Sequence, residues 1–349
     1  MTTGWILSAP ENRAKEMPAL RSLSLDKDVR VMEENIINEQ QNDQINAQGG
    51  APKKKVRKGL VFFSLVPFAV LLMVQTISQV PFYTLAVVDV INEGYSADDA
   101  YGFIMALNNT LNEKYLVFLY IVYAVLGITI FGIWYYKGYV KKHPKVKLGE
   151  VFGVKSVSAS VLTAASLYFV INAAAILTNW LFPKVMEEYN ELIEMSGLVN
   201  NAVILIAYSL IMAPILEELV FRGVIFGVLE DSGIRPGLRI LFTTILFSVM
   251  HITIPIQMVY AFLVGLMLGF LRYKYRSIRI SILTHMLFNF IGTFVSGIID
   301  NSGLGEGAML IFGGIALIVM VFVIVLVKGD KKAYKPAGKS QEDLTDVAG

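Results

Sequence analysis

The chain has 349 residues, of which 55% are hydrophobic and only 17% are charged, and its formal net charge is +2. Its apolar runs are too long for a soluble core, and the absence of cysteine excludes disulfides, thiolate metal sites and a cysteine nucleophile. The runs contain many of the 28 Gly and 11 Pro residues rather than short alternating strands. This pattern predicts an all-α fold, a polytopic membrane helix bundle.

The chain begins with a polar stretch, residues 1–58, which is predicted to be a disordered cytoplasmic tail. Its last residues form the basic sequence PKKKVRKG. A basic cluster beside a spanning helix marks the cytoplasmic side and contacts anionic lipid. We therefore expect anionic lipid, and no nucleic acid, as the partner of this cluster. The basic residues are Lys53, Lys54, Lys55, Arg57 and Lys58.

About eight apolar segments follow, most of them near the roughly 20 residues that a helix needs to cross a bilayer. The fifth and sixth are separated only by the sequence HITIPIQ, where Pro255 predicts a turn between two spans. The predicted spans are Leu60–Val80, Tyr115–Tyr136, Val157–Phe182, Ala202–Leu229, Leu238–Ile252, Ile256–Leu271, Ile280–Ile299 and Ala308–Val327.

Lysine and arginine accumulate in alternate loops, whereas acidic residues collect in the loops between them. Because positive loops stay in the cytoplasm, both termini are predicted to be cytoplasmic. His143 lies in one of the basic loops, KKHPKVK, and is predicted to be solvated. The basic segments are 53–58, 137–155, 235–239, 272–279 and 328–339. The predicted divisions are the tail 1–58, two helices with a basic loop 59–156, a core 157–299, a last helix 300–328 and a cytoplasmic tail 329–349.

Three ionisable residues, Glu217, Glu218 and Arg222, lie inside the fourth predicted span. A charged side chain near the bilayer centre costs about 3 kcal/mol or more, so such groups are paired, hydrated or functional. Residues four apart on a helix share one face, whereas neighbours diverge by about 100°. The spacing therefore predicts an ion pair between Glu218 and Arg222 and leaves Glu217 available to another group.

Two of the three histidines also lie inside predicted spans. His251 follows Phe247 by four residues, and His285 precedes Asn289 by four, which puts His285 and Asn289 on one helical face. Counted from the cytoplasmic ends of their spans, Glu217, His251, His285 and Asn289 lie at about 20, 20, 9 and 15 Å. Each alone is more simply a packing residue. Together, on three helices, they predict a water-reachable pocket that opens to the cytoplasm.

The three motifs resemble those of the CAAX protease and bacteriocin-processing family of intramembrane endopeptidases, also called the Abi family. The motifs are Glu217-Glu218-x-x-x-Arg222, Phe247-x-x-x-His251 and His285-x-x-x-Asn289, and the resemblance covers about Val157–Ile299. It implies that Glu217 and His251 activate a water molecule. It also implies that His285 and Asn289 form the oxyanion hole, while Glu218 and Arg222 form a supporting ion pair.

Several alternatives remain open at the level of sequence. Glu217, His251 and His285 could instead bind Zn²⁺, although no His-Glu-x-x-His helix is present, and the metal-free mechanism is favoured. The same pocket could belong to a membrane scaffold or a bacteriocin-immunity protein that binds a peptide or a sensor kinase, or to a proton-coupled transporter. The membrane is expected to be a bacterial plasma membrane, which the resemblance favours over the endoplasmic reticulum. Prenylated C-termini and peptide precursors are both possible substrates.

Overall fold

A computed structural model describes residues 58–96, 98–143, 151–195 and 203–329. The N-terminal unit, Met1–Lys55, and residues 330–349 lie outside these ranges, so the predictions of a disordered tail and of lipid contacts by its lysines fall outside the described residues. Within the described ranges every regular element is a helix and no strand is present, which confirms the predicted all-α fold.

Ten helices succeed one another along the described residues. They are α1 Lys58–Phe63, α2 Val66–Asn92, α3 Ala100–Val140, α4 Val154–Leu181, α5 Pro183–Met195, α6 Val203–Asp231, α7 Pro236–Val249, α8 Pro255–Tyr275, α9 Ile278–Ile299 and α10 Glu306–Gly329. Seven of them are long and apolar enough to cross a membrane, namely α2, α3, α4, α6, α8, α9 and α10. Helix α7 has only 14 residues, a length of about 21 Å against a hydrocarbon core of about 30 Å. Seven long helices and one short one therefore take the place of the eight predicted spans.

The first span is longer than predicted. The predicted segment stops at Val80, just before Pro81, but α2 continues through this proline to Asn92. A proline inside a helix removes one backbone hydrogen bond, and membrane helices tolerate this loss where neighbouring groups compensate for it.

The second span also begins earlier than predicted, because α3 starts at Ala100 rather than at Tyr115. The polar residues that predicted a loop are paired between helices instead. The Lys114 ammonium lies 3.2 Å from a carboxylate oxygen of Asp89 and 3.2 Å from one of Glu93. These contacts join the C-terminal end of α2 to the first half of α3.

The turn predicted at Pro255 is present. Helix α7 ends at Val249 and α8 begins at Pro255, with Ile254 in an extended conformation (φ −125°, ψ 97°). The residue before a proline avoids helical dihedral angles, and proline suits the first position of a helix. His251 therefore lies in the turn just after α7, not within a span as predicted.

Helix α6 is the central element of the bundle. Most buried residues of its main core cluster come from this helix, among them Leu216, Phe221 and Leu229. In contrast, α10 exposes a row of apolar side chains, such as Ile311 and Ile318, as expected for a surface that faces lipid. The helix with the two glutamates is thus more enclosed by other helices than α10 is.

Candidate active site

The backbone of α6 changes its helical geometry on both sides of the two glutamates. Tyr208–Met212 and Leu219–Ile225 are π-helical, and a single α-helical segment, Ala213–Glu218, lies between them. Pro214 is the second residue of this segment and has no N–H to donate to the preceding turn. Wide turns of this kind are frequent at functional sites.

Glu218 is the fully buried member of the glutamate pair. Its Oε1 lies 2.9 Å from Nη1 of Arg222, and both side chains are 0% exposed. The Arg222 guanidinium also donates to the carbonyl of Gly265 at 3.0 Å and lies 4.6 Å from the ring centroid of Phe247. The four-residue spacing on α6 thus gives a desolvated ion pair that is held by α8 as well.

His285 connects the two glutamates. Its Nδ1 lies 3.3 Å from Oε1 of Glu218, and its Nε2 lies 3.7 Å from Oε2 of Glu217. The imidazole is buried, whereas the Glu217 side chain is 28% exposed. Tyr123 and Tyr208 are close enough to Glu217 to interact with its charge. Glu217 is therefore an accessible carboxylate with one histidine beside it.

His251 is connected to His285 through the aromatic ring of Phe247. Its Nδ1 lies 2.9 Å from the carbonyl oxygen of Phe247. Because a carbonyl only accepts hydrogen bonds, Nδ1 carries the proton, and Nε2 of the neutral ring is left as an acceptor. The Phe247 ring lies 5.0 Å from the His251 ring and 5.9 Å from the His285 ring, centroid to centroid.

Asn289 lies one turn after His285 on α9. Its Nδ2 donates to the backbone carbonyl of Ser209 at 2.9 Å, next to Tyr208 in the first π-helical turn of α6. An amide nitrogen has two protons, so this bond leaves one free to donate elsewhere. The contact fixes α9 against the segment of α6 that precedes the glutamates.

The structure therefore brings four of the six predicted residues into direct contact: Glu217, Glu218, Arg222 and His285. His251 joins them through Phe247, and Asn289 contacts the backbone of α6. The sequence did not single out Tyr123 and Tyr208, because tyrosines are common in apolar helices and nothing local indicates which of them face a carboxylate. Their roles, like those of the six residues, remain predictions.

The proposed alternative, a zinc site, requires three converging ligands. Glu217 and His285 are close enough to bind one metal ion together. However, no group of three or more His, Asp or Glu residues in the described ranges is arranged to hold such an ion. The donor set of Glu217, His251 and His285 thus does not fit zinc in this arrangement. Metal dependence stays a prediction for experiment.

A second group of charges lies at the C-terminal end of α6. Glu230 accepts a hydrogen bond from the Tyr139 hydroxyl at 2.8 Å, and its carboxylate lies 3.1 Å from Nη1 of Arg239 and 3.8 Å from Nη2 of Arg272. We call Glu230, Arg239 and Arg272 the arginine cluster. Its two arginines were predicted only as members of basic loops, whereas both are buried.

The prediction that His143 is solvated is wrong. Its ring stacks on Tyr139 with centroids 3.9 Å apart, and its Nε2 lies 3.2 Å from a carboxylate oxygen of Asp231. His143 therefore packs beside the arginine cluster, although the charges around it in the sequence indicated an open loop.

The fold and the site define a helical integral membrane protein with a glutamate–histidine site among its apolar helices. Residues 199–291 match the family model described as "Type II CAAX prenyl endopeptidase Rce1-like". This match confirms the resemblance found in the motifs, over a shorter segment than Val157–Ile299, and it includes every predicted site residue. No curated protein and no solved structure matches the chain.

Proposed function

We propose that the protein is an intramembrane endopeptidase that hydrolyses a peptide bond in a membrane-associated peptide or protein. The family match supports protease activity, and one structural observation supports Glu217 as the base. Two adjacent glutamates have different environments, because Glu218 is 0% exposed and bound to Arg222 while Glu217 is 28% exposed and has no arginine within 4 Å among the described residues. A carboxylate that must accept a proton from water needs this accessibility.

In the first step Glu217 accepts a proton from a water molecule, whose oxygen attacks the carbonyl carbon of the scissile bond. His251 would orient this water, since its Nδ1 is committed to the Phe247 carbonyl and Nε2 remains an acceptor. The attack converts the carbonyl into a tetrahedral oxyanion.

The oxyanion then needs donors. With protons on both ring nitrogens, His285 donates from Nδ1 to Glu218 and from Nε2 to the oxyanion, and Asn289 donates the amide proton that Ser209 does not use. Each fixed donor of this kind is typically worth about 3 kcal/mol in the barrier. When the intermediate collapses, the C–N bond breaks and Glu217 returns its proton to the leaving amine.

Glu218 and Arg222 do not contact the substrate in this mechanism. They position His285, because Oε1 of Glu218 binds Nδ1 of the imidazole and Nη1 of Arg222 at once. The pair therefore fixes the ring plane and directs Nε2 toward Glu217.

The proposed location is a bacterial plasma membrane, an assignment that rests on the family resemblance. The site is proposed to open to the cytoplasm, and the distribution of lysine and arginine supports this orientation. The chain has no cysteine, so single cysteines introduced into each loop can report its side by labelling from outside the cell. Labelling of the loop between α8 and α9 from outside would contradict this orientation.

The test of activity is cleavage of a set of peptides, with and without a C-terminal lipid, by purified protein in detergent. Glu217→Gln is expected to lower the rate at least about 100-fold, since it removes the base. The matched control is Glu188→Gln, an exposed glutamate of α5, which should cleave as the wild type does.

Each protein is also assayed with a zinc chelator. Cleavage that survives the chelator supports the metal-free mechanism, and cleavage that the chelator abolishes and zinc restores favours the zinc alternative. If the wild type cleaves no peptide, the scaffold hypothesis gains, and a requirement for a proton gradient would favour a transporter.

A further inference from the structure

The three residues of the arginine cluster include two positive charges and one negative charge, because two guanidinium groups share the single carboxylate of Glu230. Arg239 is 9% exposed and Arg272 is 1% exposed. Nε of Arg239 and Nη2 of Arg272 have no hydrogen-bond partner among the described residues. Buried donors without a partner are unfavourable, so the cluster has unused capacity for an anion.

The cluster lies where apolar helices end. Glu230 is the residue before the last of α6, Arg239 is in the first turn of α7, and Arg272 is in the last turn of α8. Thirteen residues separate Glu230 from Glu217, about 20 Å along the helix. The ends of membrane helices lie at the level of the lipid headgroups, so the anion nearest to the cluster is a lipid phosphate.

The shape of the cluster also suits a phosphate group. The Arg239 and Arg272 guanidinium groups lie 5.3 and 5.1 Å from the ring centroid of Phe226, and Arg272 lies 5.1 Å from that of Tyr139. Aromatic faces hold the planes of the guanidinium groups, and Nε of Arg239 and Nη2 of Arg272 are the donors left for an oxyanion. Pairs of parallel N–H donors match two phosphate oxygens. Glu230 keeps the two arginines together through one carboxylate.

From this geometry we infer that the arginine cluster binds the phosphate group of an anionic phospholipid. The site is distinct from the predicted contact of Lys53–Lys58 with lipid, which rests on charge in a tail. It is also distinct from the glutamates, since a peptide that reached both would need about six extended residues between them. The ligand therefore occupies the edge of the bundle and not the candidate active site.

The test is a titration of purified full-length protein, in uncharged detergent, with short-chain phosphatidic acid, and bound lipid is counted by native mass spectrometry. Arg239→Gln is expected to weaken binding about tenfold or more, because it removes one charge-assisted pair. Arg235→Gln is the matched control, an exposed arginine one turn earlier, and should bind as the wild type does. Both variants keep Lys53–Lys58, so attraction by the tail cancels in the comparison.

Two further measurements complete the test. In one, phosphatidylcholine replaces phosphatidic acid, and in the other, inorganic phosphate competes with phosphatidic acid. The inference predicts weak binding of phosphatidylcholine and no competition by millimolar phosphate. Equal binding of phosphatidylcholine, or equal losses in Arg239→Gln and Arg235→Gln, would overturn it, and effective competition by inorganic phosphate would overturn the lipid as the source. If Arg239→Gln does not fold, Arg239→Lys replaces it, which keeps the charge but loses the paired donors and should bind with intermediate affinity.

Discussion

The middle and the C-terminal end of α6 pair their charges in opposite ratios. Near its middle, two glutamates share one arginine, whereas at its end two arginines share Glu230. In the first cluster the ion pair of Glu218 and Arg222 is fully buried and Glu217 is the carboxylate without an arginine, whereas in the second Glu230 is 25% exposed and has two guanidinium groups beside it. Buried ion pairs fix the positions of their side chains, and the charge without an equal partner is the one available to a ligand or a reaction.

The two clusters are connected through the backbone. Nε of Arg272 donates to the carbonyl oxygen of Arg222 at 3.0 Å. Arg222 lies in the second π-helical turn of α6, so α8 holds this turn at the same residue whose side chain binds Glu218. One hydrogen bond thus joins the residue Arg272 of the arginine cluster to the backbone of Arg222.

The largest effect on stability is expected from Arg222→Met. This change leaves Glu218 buried beside His285 alone, and breaking a fully buried pair typically costs about 3–5 kcal/mol. Arg239→Met should cost less than half as much, because Glu230 is 25% exposed and keeps Arg272. The measurement is unfolding of the purified variants in detergent by urea or heat.

The matched control for both is Arg235→Met, which alters an exposed arginine and should lie within about 0.5 kcal/mol of the wild type. The double variant Glu218→Gln with Arg222→Met should recover part of the loss, since no charge is then left unpaired. If Arg222→Met is no worse than Arg239→Met, the contrast between the two clusters does not hold.

Sequence spacing predicted the contacts that lie within one helix. The four-residue separation of Glu218 and Arg222 and the break at Pro255 both follow from local rules, and both are present. Contacts between helices could not be predicted in this way. The position of His285 between two glutamates depends on how α9 is rotated and offset against α6, which apolar periodicity does not specify.

The contacts of the arginine cluster also lie between helices and could not be predicted from the sequence. Arg239 and Arg272 are distant in sequence and belong to two different basic segments, so their charge indicated the side of the membrane and nothing more. Their burial comes from the packing of α7 and α8 on α6. The sign of a charge at the end of a span therefore does not show whether the side chain is buried.

A middle-sized effect is expected from Gly227→Ala. A Cβ at this residue would lie 2.7 Å from Cδ2 of Tyr139, and the ring that must move also binds Glu230. Overpacking of this kind typically costs about 1–3 kcal/mol. Unfolding measurements should show this loss, while cleavage per folded molecule stays near the wild-type rate because Glu217 is about 15 Å away along the helix.

Two other glycines provide matched variants for comparison with Gly227→Ala. Gly237→Ala adds a methyl where nothing lies within 4 Å, so it should be neutral or stabilise α7 by up to about 1 kcal/mol. Gly127→Ala would meet Leu216, the neighbour of Glu217, at 2.7 Å and should lower the rate of cleavage as well as stability. Equal losses of cleavage in Gly227→Ala and Gly127→Ala would show that the two clusters do not act separately.

The smallest effect is expected at the rim of the arginine cluster, from His143→Gln. The His143 and Asp231 side chains are 21% and 33% exposed, and ion pairs with this much solvent around them contribute at most about 1 kcal/mol. The stacking on Tyr139 adds a contact that glutamine only partly replaces. A double-mutant cycle with Asp231→Asn, measured by unfolding in detergent, isolates the energy of the pair. A coupling above about 2 kcal/mol would mean that His143 belongs to the buried part of the cluster, and the excess of positive charge would then have to be counted with a protonated His143 included.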